Sequence, residues 1–280
     1  VPAITTSVWA DERKTGTDEL LFTMPATDVE ILLGKYFSVL TVYSVALLFS
    51  MTHVLVLMFL GTPDWGLIST TYFGYWIAGA ALLSAGMLAS ILTSSMTVAF
   101  VIGIVICGIP VFLGDVGGFL GFRDIFENFS LREQFRDFGM GVIPVSGLLY
   151  FLGFTVFMLY FNLVLMTRRH WSSSRLAGMG TQYAVRAVCL ALMLICVTAW
   201  AGYAAIRVDA TSEQLFSLSP ATKQILRGLD SERPIEIQVF LSPEVPREYV
   251  ETRKRLVGLL RQFDGMGGKN LEVRYVGVAP

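Results

Sequence analysis

Charged residues are scarce in this sequence, and their scarcity excludes an ordinary soluble protein. Only 15% of its 280 residues are Asp, Glu, Lys or Arg, whereas soluble domains average roughly 25%. Asp64 is the single such residue between Lys35 and Asp115, and none lies in 138–167 or 187–206. A soluble core of this size would carry charges at intervals along its surface. Apolar runs of this length are instead typical of membrane spans.

Catalytic and metal-binding patterns are missing as well. The three cysteines, Cys107, Cys189 and Cys196, lie inside apolar runs, which favours small packing residues over a disulfide framework or a metal site. No CxxC, HExxH or GxSxG motif exists, and two Gly-Lys pairs lack the upstream glycine of a phosphate-binding loop. The sequence therefore predicts no catalytic residues, no metal and no cofactor in this chain. A net charge of −1 predicts no nucleic-acid partner.

What remains is 54% hydrophobic and organised in long apolar segments. Five of them reach the roughly 20 residues that cross a bilayer core. They are 36–60, 72–92, 96–113, 142–166 and 188–206. The predicted fold class is an α-helical polytopic membrane protein of about five spans, followed by the start of an extracytoplasmic α/β domain. Because the chain begins at Val1 without a methionine, we interpret it as a fragment of a longer protein.

The distribution of Lys and Arg predicts the orientation of the spans, since positive loops stay in the cytoplasm. One basic group precedes the first span and another separates the fourth span from the fifth; their members are Arg13, Lys14 and Lys35, then Arg168, Arg169 and Arg175. Four spans lie between the two groups, so both are expected on the cytoplasmic side. The stretches 61–70, 114–139 and 207–280 are then expected outside.

Two connecting segments have patterns of their own. Residues 18–24 can form a short helix that Pro25 ends, and Thr27 with Glu30 predicts a capping box that starts the next helix. The stretch 114–139 alternates aromatic and charged residues between glycines, which predicts amphipathic helices at the outer interface.

The stretch 207–280 reads as alternating α and β. It predicts two parallel strands at 235–241 and 271–276, joined by a helix at 247–263. A further helix is expected to begin at Pro220 and to help cover the sheet with Ile225 and Leu226. The predicted division is 1–35 cytoplasmic segment, 36–166 four spans, 167–186 linker, 187–206 fifth span and 207–280 α/β.

Two features inside the spans leave alternatives open. His53 lies in the predicted first span, where an ionisable side chain is a functional candidate but can also simply hydrogen-bond a neighbouring helix. Ala81, Ala85 and Ala89 recur every four residues, which suits either packing within the chain or a dimer seam.

The segment WADERKTGTDELLFTMPATDVEILLGKYF resembles the cytoplasmic coupling segment of type-2 ABC exporter permeases, in particular the gliding-motility-associated (GldF-like) branch. Asp11 is a mild departure from the family's first acid. The stretch 123–166, especially FENFSLREQFRDFGMGVI, resembles the family's outer helices and last span. The fifth span together with FSLSPATKQILRGLDSERPIEIQVFLS at 216–242 resembles the companion GldG-like auxiliary protein. The matching residues are Glu12, Arg13, Gly16, Thr17, Glu19, Leu20, Leu21, Thr23, Pro25, Leu33, Gly34 and Lys35.

The resemblance implies a permease fused to the start of an auxiliary protein in the bacterial inner membrane. It implies a separate ABC ATPase subunit that holds the ATP, and a second permease copy or homologous half across the substrate path. The helix 18–24 would then dock on the ATPase, with Glu12, Arg13 and Glu19 as polar contacts and Leu20 and Leu21 filling its cleft. The alternative is a scaffold that anchors an extracytoplasmic binding module without transport.

Overall fold

The computed structural model describes 1–18, 25–61, 63–120, 126, 129–168, 176–204, 207–210, 220–227, 235–241, 271–277 and isolated positions between 249 and 263. Its residues form two compact units, Val1–Val208 and Asp209–Pro280. The helices are Pro2–Thr5, Ser7–Thr15, Asp28–Ser50, Thr52–Leu60, Trp65–Ile91, Met96–Leu120, Leu131–Gly139, Val145–Thr167, Leu176–Ala204 and Pro220–Arg227. The strands are β1 Val142–Pro144, β2 Arg207–Asp209, β3 Ile235–Leu241 and β4 Leu271–Gly277.

Among the residues that the structure describes, five helices are long and apolar enough to cross a membrane, as the sequence predicts. Spans one to five are Asp28–Leu60, Trp65–Ile91, Met96–Gly117, Val145–Thr167 and Gly180–Ala201. The first span begins well before the predicted residue 36, because the capping box of Thr27 and Glu30 forms as predicted and starts the helix at Asp28. The fifth span belongs to a helix that starts at Leu176, so the second half of the predicted linker is helical.

The second span is the centre of the first unit. In its most apolar 18-residue stretch, 78% of the residues are buried, compared with 6% in the corresponding stretches of the first and fifth spans. Ala81, Ala85 and Ala89 are at most 1% exposed. Their spacing therefore serves packing within the chain, and the alternative of a dimer seam is wrong.

A buried polar contact joins the second and fourth spans. The side-chain amide of Asn162 donates to the carbonyl of Ser84 at 3.0 Å and to the carbonyl of Met158 at 2.9 Å. Asn162 and Ser84 are both 0% exposed. A polar group in hydrocarbon needs a partner in the protein, so this contact favours one alignment of the two helices.

The starts and ends of the spans fall at two ends of the bundle. The hydroxyl of Thr167, at the end of the fourth span, donates to the carboxylate of Asp28 at 3.3 Å. This contact places the start of the first span beside the end of the fourth, as the Lys and Arg distribution predicts. We call this the Lys35 end of the bundle, and the other the Asp64 end, after the residue that caps the second span.

The stretch 114–139 differs from its prediction. The third helix continues to Leu120, so 114–120 extends a span and is not a separate interfacial helix. The helix Leu131–Gly139 is amphipathic as predicted, but its apolar face packs between the second and fourth spans, where Phe138 is 0% exposed. Gly74 and Gly147 make this insertion possible, because side chains there would meet Phe138.

The second unit contains the predicted parallel pair. β3 and β4 run parallel, in register from Ile235 opposite Leu271 to Leu241 opposite Gly277. Leu226 and Leu271 are buried together, with Ile237, Leu259, Phe263 and Val273 packed against them. Ile225, which was expected to help cover the sheet, is 67% exposed, so the helix contributes Leu226 alone of that pair.

Substitution of Gly74 by alanine should destabilise the first unit by about 1–3 kcal/mol through overpacking. The new methyl group would lie 2.6 Å from Cβ of Phe138, which cannot move without its helix. Gly34→Ala is the matched control, because its methyl group meets nothing within 4 Å. Thermal unfolding of the two purified variants in detergent measures the difference; equal melting temperatures would show that Phe138 does not seat against Gly74.

Candidate functional site

Lys35 holds the helix Ser7–Thr15, which we call the N-terminal helix, against the first span. Its ammonium group lies 2.5 Å from the Glu12 carboxylate and donates to the carbonyl of Val8 at 2.8 Å. It also lies 4.5 Å from the centre of the Trp9 ring, a cation–π contact. We call Val8, Trp9, Glu12 and Lys35 the Lys35 cluster. Both charges are mostly shielded, with side chains 16% exposed for Lys35 and 32% for Glu12, so the contacts are stronger than those of a surface ion pair.

The second span fastens the same N-terminal helix from the other side. The hydroxyl of Ser90 accepts from the backbone N–H groups of Trp9 and Ala10, at 3.0 and 3.1 Å, and donates to the carbonyl of Thr6 at 2.8 Å. These N–H groups belong to the first turn of Ser7–Thr15, and Thr6 before it supplies no side-chain cap. Ser90 therefore caps the helix from a distant part of the chain.

The end of the N-terminal helix is defined by Gly16. This glycine is left-handed, with φ 72°, and its N–H donates to the carbonyl of Glu12, the usual way to end a helix. The N–H of Thr17 donates to the same carbonyl at 3.0 Å. Glu12 thus holds Lys35 with its side chain and the end of its own helix with its backbone.

The first span begins just beyond the undescribed segment. The N–H of Thr27 donates to Glu30 at 2.8 Å, and the N–H of Glu30 donates to the Thr27 hydroxyl at 3.3 Å. Pro25 lies in an exposed bend just before this cap. The chain between Gly16 and Thr27 is therefore bracketed by two defined helix ends, which Lys35 and Glu12 link.

The structure brings together part of the predicted coupling set. Glu12 and Lys35 are in contact, Arg13 is half-buried one residue further on, and Gly16 and Thr17 end the helix. Gly34 stands apart: it is exposed on the first span, with open space where a side chain would lie. The predicted docking residues Glu19, Leu20 and Leu21, with Thr23, lie outside the described residues.

Sequence reasoning missed Trp9 and Ser90. Trp9 is 2% exposed and lies in a core with Leu32, Tyr36, Met87 and Met166. Its position two residues before the acidic pair Asp11 and Glu12 was the available signal, since a tryptophan so near charged residues is unusual in a solvent-exposed segment. Ser90 had no such signal, because small residues occur throughout the second span.

The arrangement is mechanical rather than catalytic. The charges of the Lys35 cluster neutralise each other, and its other members are a ring and a backbone carbonyl. No nucleophile with a base beside it is formed by these residues. The cluster can make the N-terminal helix and the first span move together, and Ser90 adds the second span.

Two protein-family models match the sequence. One, described as an ABC-2 family transporter protein, matches residues 3–207. The other, described as a domain of unknown function (DUF7088), matches residues 212–280. No curated protein and no solved structure matches. The first match ends one residue before the boundary between the two compact units.

Reversing the charge of Lys35 should release the N-terminal helix. Lys35→Glu removes three contacts and places two carboxylates together, so we expect a cost of about 3 kcal/mol. Lys14→Glu is the control, because it makes the same charge change at an exposed position of that helix.

The readout is an Ala10→Cys reporter, since Ala10 is 0% exposed, in a chain whose native cysteines are replaced by alanine. A membrane-permeant thiol reagent should label it faster with Lys35→Glu than with Lys14→Glu. The further exchange Glu12→Lys should restore part of the protection. Equal labelling rates in all variants would show that the cluster does not hold the helix.

Proposed function

The chain belongs to the ABC-2 family of transporter proteins and is the membrane permease subunit of an ABC transporter; we propose that it is an exporter subunit driven through 11–35 by a separate ATPase. Permeases of this family are not themselves catalytic and normally work with an ATPase subunit. The specific proposal is the route by which ATP hydrolysis elsewhere reaches the spans. The segment 18–24 docks on the ATPase, and the Lys35 cluster passes its displacement to the membrane.

This proposal rests on the observation that the helices before and after the docking segment 18–24 are attached to each other. Gly16 and Thr27 define its two ends, while Lys35 links the helix before it to the helix after it. A segment attached at one end only could tilt without moving a span. Because this one is attached at both ends, a push on it moves the N-terminal helix and the first span as one body.

The second span completes the route. Ser90 ties the N-terminal helix to it, and the hydroxyl of Tyr36 donates to the carbonyl of Ala80 at 3.2 Å, tying the first span to it as well. Packed elements of this kind shift as rigid bodies between two discrete states and do not deform continuously. We therefore assign the power stroke to a rigid shift of the Lys35 end of the bundle.

The finer assignment follows the sequence resemblance. We propose that the permease belongs to the gliding-motility-associated branch, sits in a bacterial inner membrane and pairs with a second permease copy. The unit Asp209–Pro280, which contains the DUF7088 match, is proposed as the beginning of a GldG-like auxiliary domain outside the cell. The mixed α/β character of that unit supports this reading.

Coupling is tested with the double variant Glu19→Lys, Leu20→Asp. A reversed charge and a charge placed in an apolar cleft both oppose docking, and an unpaired buried charge costs several kcal/mol. We expect this variant, purified from its native membranes, to lose co-purifying Mg²⁺-dependent ATPase activity while its amount in the membrane stays unchanged.

The matched control is Glu236→Lys, Phe240→Asp, which makes the same residue changes on exposed positions of β3. It should retain the ATPase. If no ATPase co-purifies with the wild-type chain or with either double variant, the scaffold interpretation replaces the exporter. If both double variants retain it equally, the docking segment lies elsewhere.

Orientation is tested by labelling single cysteines in intact cells, with the three native cysteines replaced by alanine. Gly61→Cys is exposed at the Asp64 end with open space around it and should react with a membrane-impermeant reagent. His170→Cys should react only after permeabilisation, because its basic loop is expected in the cytoplasm. Labelling of position 170 from outside would reverse the proposed orientation.

A further inference from the structure

A groove opens between the first and second spans near the Asp64 end. Its volume is about 580 Å³, large enough for part of an amphiphilic molecule. The polar residues that line it are Tyr43, Ser50, His53, Thr71, Tyr72 and Tyr75. Leucine, valine and isoleucine side chains form the rest of the lining. The groove lies wholly within the first unit, away from the Lys35 cluster.

Its polar wall is built by ring contacts and hydrogen bonds. Phe135 stacks on Tyr75 at 4.9 Å, Tyr75 contacts Tyr72 edge-to-face at 6.4 Å, and Tyr72 stacks on His53 at 5.9 Å, all between ring centres. The hydroxyl of Tyr72 donates to the carbonyl of Ser50 at 3.1 Å and lies 3.2 Å from Nε2 of His53. This series of rings fixes the hydrogen-bonding groups in place before any ligand arrives.

The level of the groove in the membrane is given by the length of the first span. His53 follows Lys35 by 18 residues, about 27 Å along a helix. That distance is close to the roughly 30 Å of a hydrocarbon core. His53 therefore lies near the membrane surface at the Asp64 end, where lipid headgroups begin. The surface beside it is apolar, with Leu55 59% and Phe59 92% exposed.

The side chains that line the groove limit the chemical class of ligand that it can bind. None of its lining residues is Asp, Glu, Lys or Arg, whereas phosphate sites in proteins use Arg or Lys. Tyrosine, serine, threonine and neutral histidine can each both donate and accept a hydrogen bond. Hydroxyl groups on a ligand have the same dual character. The faces of the tyrosine rings also attract the weakly positive C–H groups of a sugar, because the ring face is negative.

We propose that this groove binds a bilayer amphiphile with an uncharged, hydroxyl-rich headgroup, entering from the leaflet at the Asp64 end. The headgroup lies against Tyr72, Tyr75 and His53, and the acyl chain follows the apolar side of the groove along Leu57 and Ile68. The proposal does not rest on coupling to an ATPase, and it is tested on the permease chain alone.

The test is retention of lipid by the purified full chain in nanodiscs, read by native mass spectrometry. Three probes with identical acyl chains are mixed in equal amounts: glucosyl-diacylglycerol, phosphatidylglycerol and diacylglycerol. We expect glucosyl-diacylglycerol to be retained about fivefold over each of the other two, the effect of one or two net hydrogen bonds. Equal retention, or a preference for phosphatidylglycerol, would overturn the proposal.

Three single-hydroxyl deletions complete the design. Tyr72→Phe and Tyr75→Phe should each reduce the preference for the sugar headgroup by at least about twofold. Tyr75→Phe keeps the test valid if Tyr72→Phe disturbs the junction between the helices Asp28–Ser50 and Thr52–Leu60, because Tyr72 bonds the carbonyl of Ser50. Tyr160→Phe is the matched control, because its hydroxyl donates to the carbonyl of Tyr183 outside the groove; it should change nothing. Unchanged preference in both groove variants, or cross-linking of His53→Cys between two copies that excludes lipid, would show that the groove has another occupant.

Discussion

The packing of the first unit depends on the small residues of the second span, which let other elements approach its backbone closely. In hydrocarbon there is no water to drive helices together, so close contact between backbones does much of the work. At Gly74, Gly79 and Gly86, an added methyl group would run into Phe138, Tyr43 and Thr5 respectively. Each of these contacts belongs to a different element: the helix Leu131–Gly139, the first span and the helix Pro2–Thr5. The arrangement of the unit follows from this one narrow helix.

Hydrogen bonds also hold other elements to the second span. Asn162 and Tyr36 donate to backbone carbonyls of the second span. Ser90, on the second span, accepts from a backbone N–H of the N-terminal helix. In a low-dielectric interior such bonds are hard to replace, because separation leaves groups unpaired. The N-terminal helix is held by this chemistry and by Lys35 together. That combination attaches the helix to both the first and the second span.

The sequence predicted what depends on composition and on neighbouring residues. The five spans follow from the spacing of charge, and the start of the first helix follows from Thr27 and Glu30, three residues apart. The pairing of Glu12 with Lys35 could not be derived from spacing, because 23 residues and a turn separate them. The buried seat of Phe138 was missed since it depends on glycines in two other helices. His53 was recognised as unusual from the sequence, but the groove that it lines depends on how the first and second spans pack together.

The cap supplied by Ser90 has a consequence for biogenesis. The N–H of Trp9 and its acceptor are separated by 81 residues of chain. At a synthesis rate of roughly 5–20 residues per second, several seconds pass between the two leaving the ribosome. During that interval the helix Ser7–Thr15 lacks the Ser90 hydroxyl that accepts from Trp9 and Ala10, and it has no second span to lie on. A nascent or truncated chain therefore cannot hold the helix Ser7–Thr15 in its finished position until the second span has been inserted.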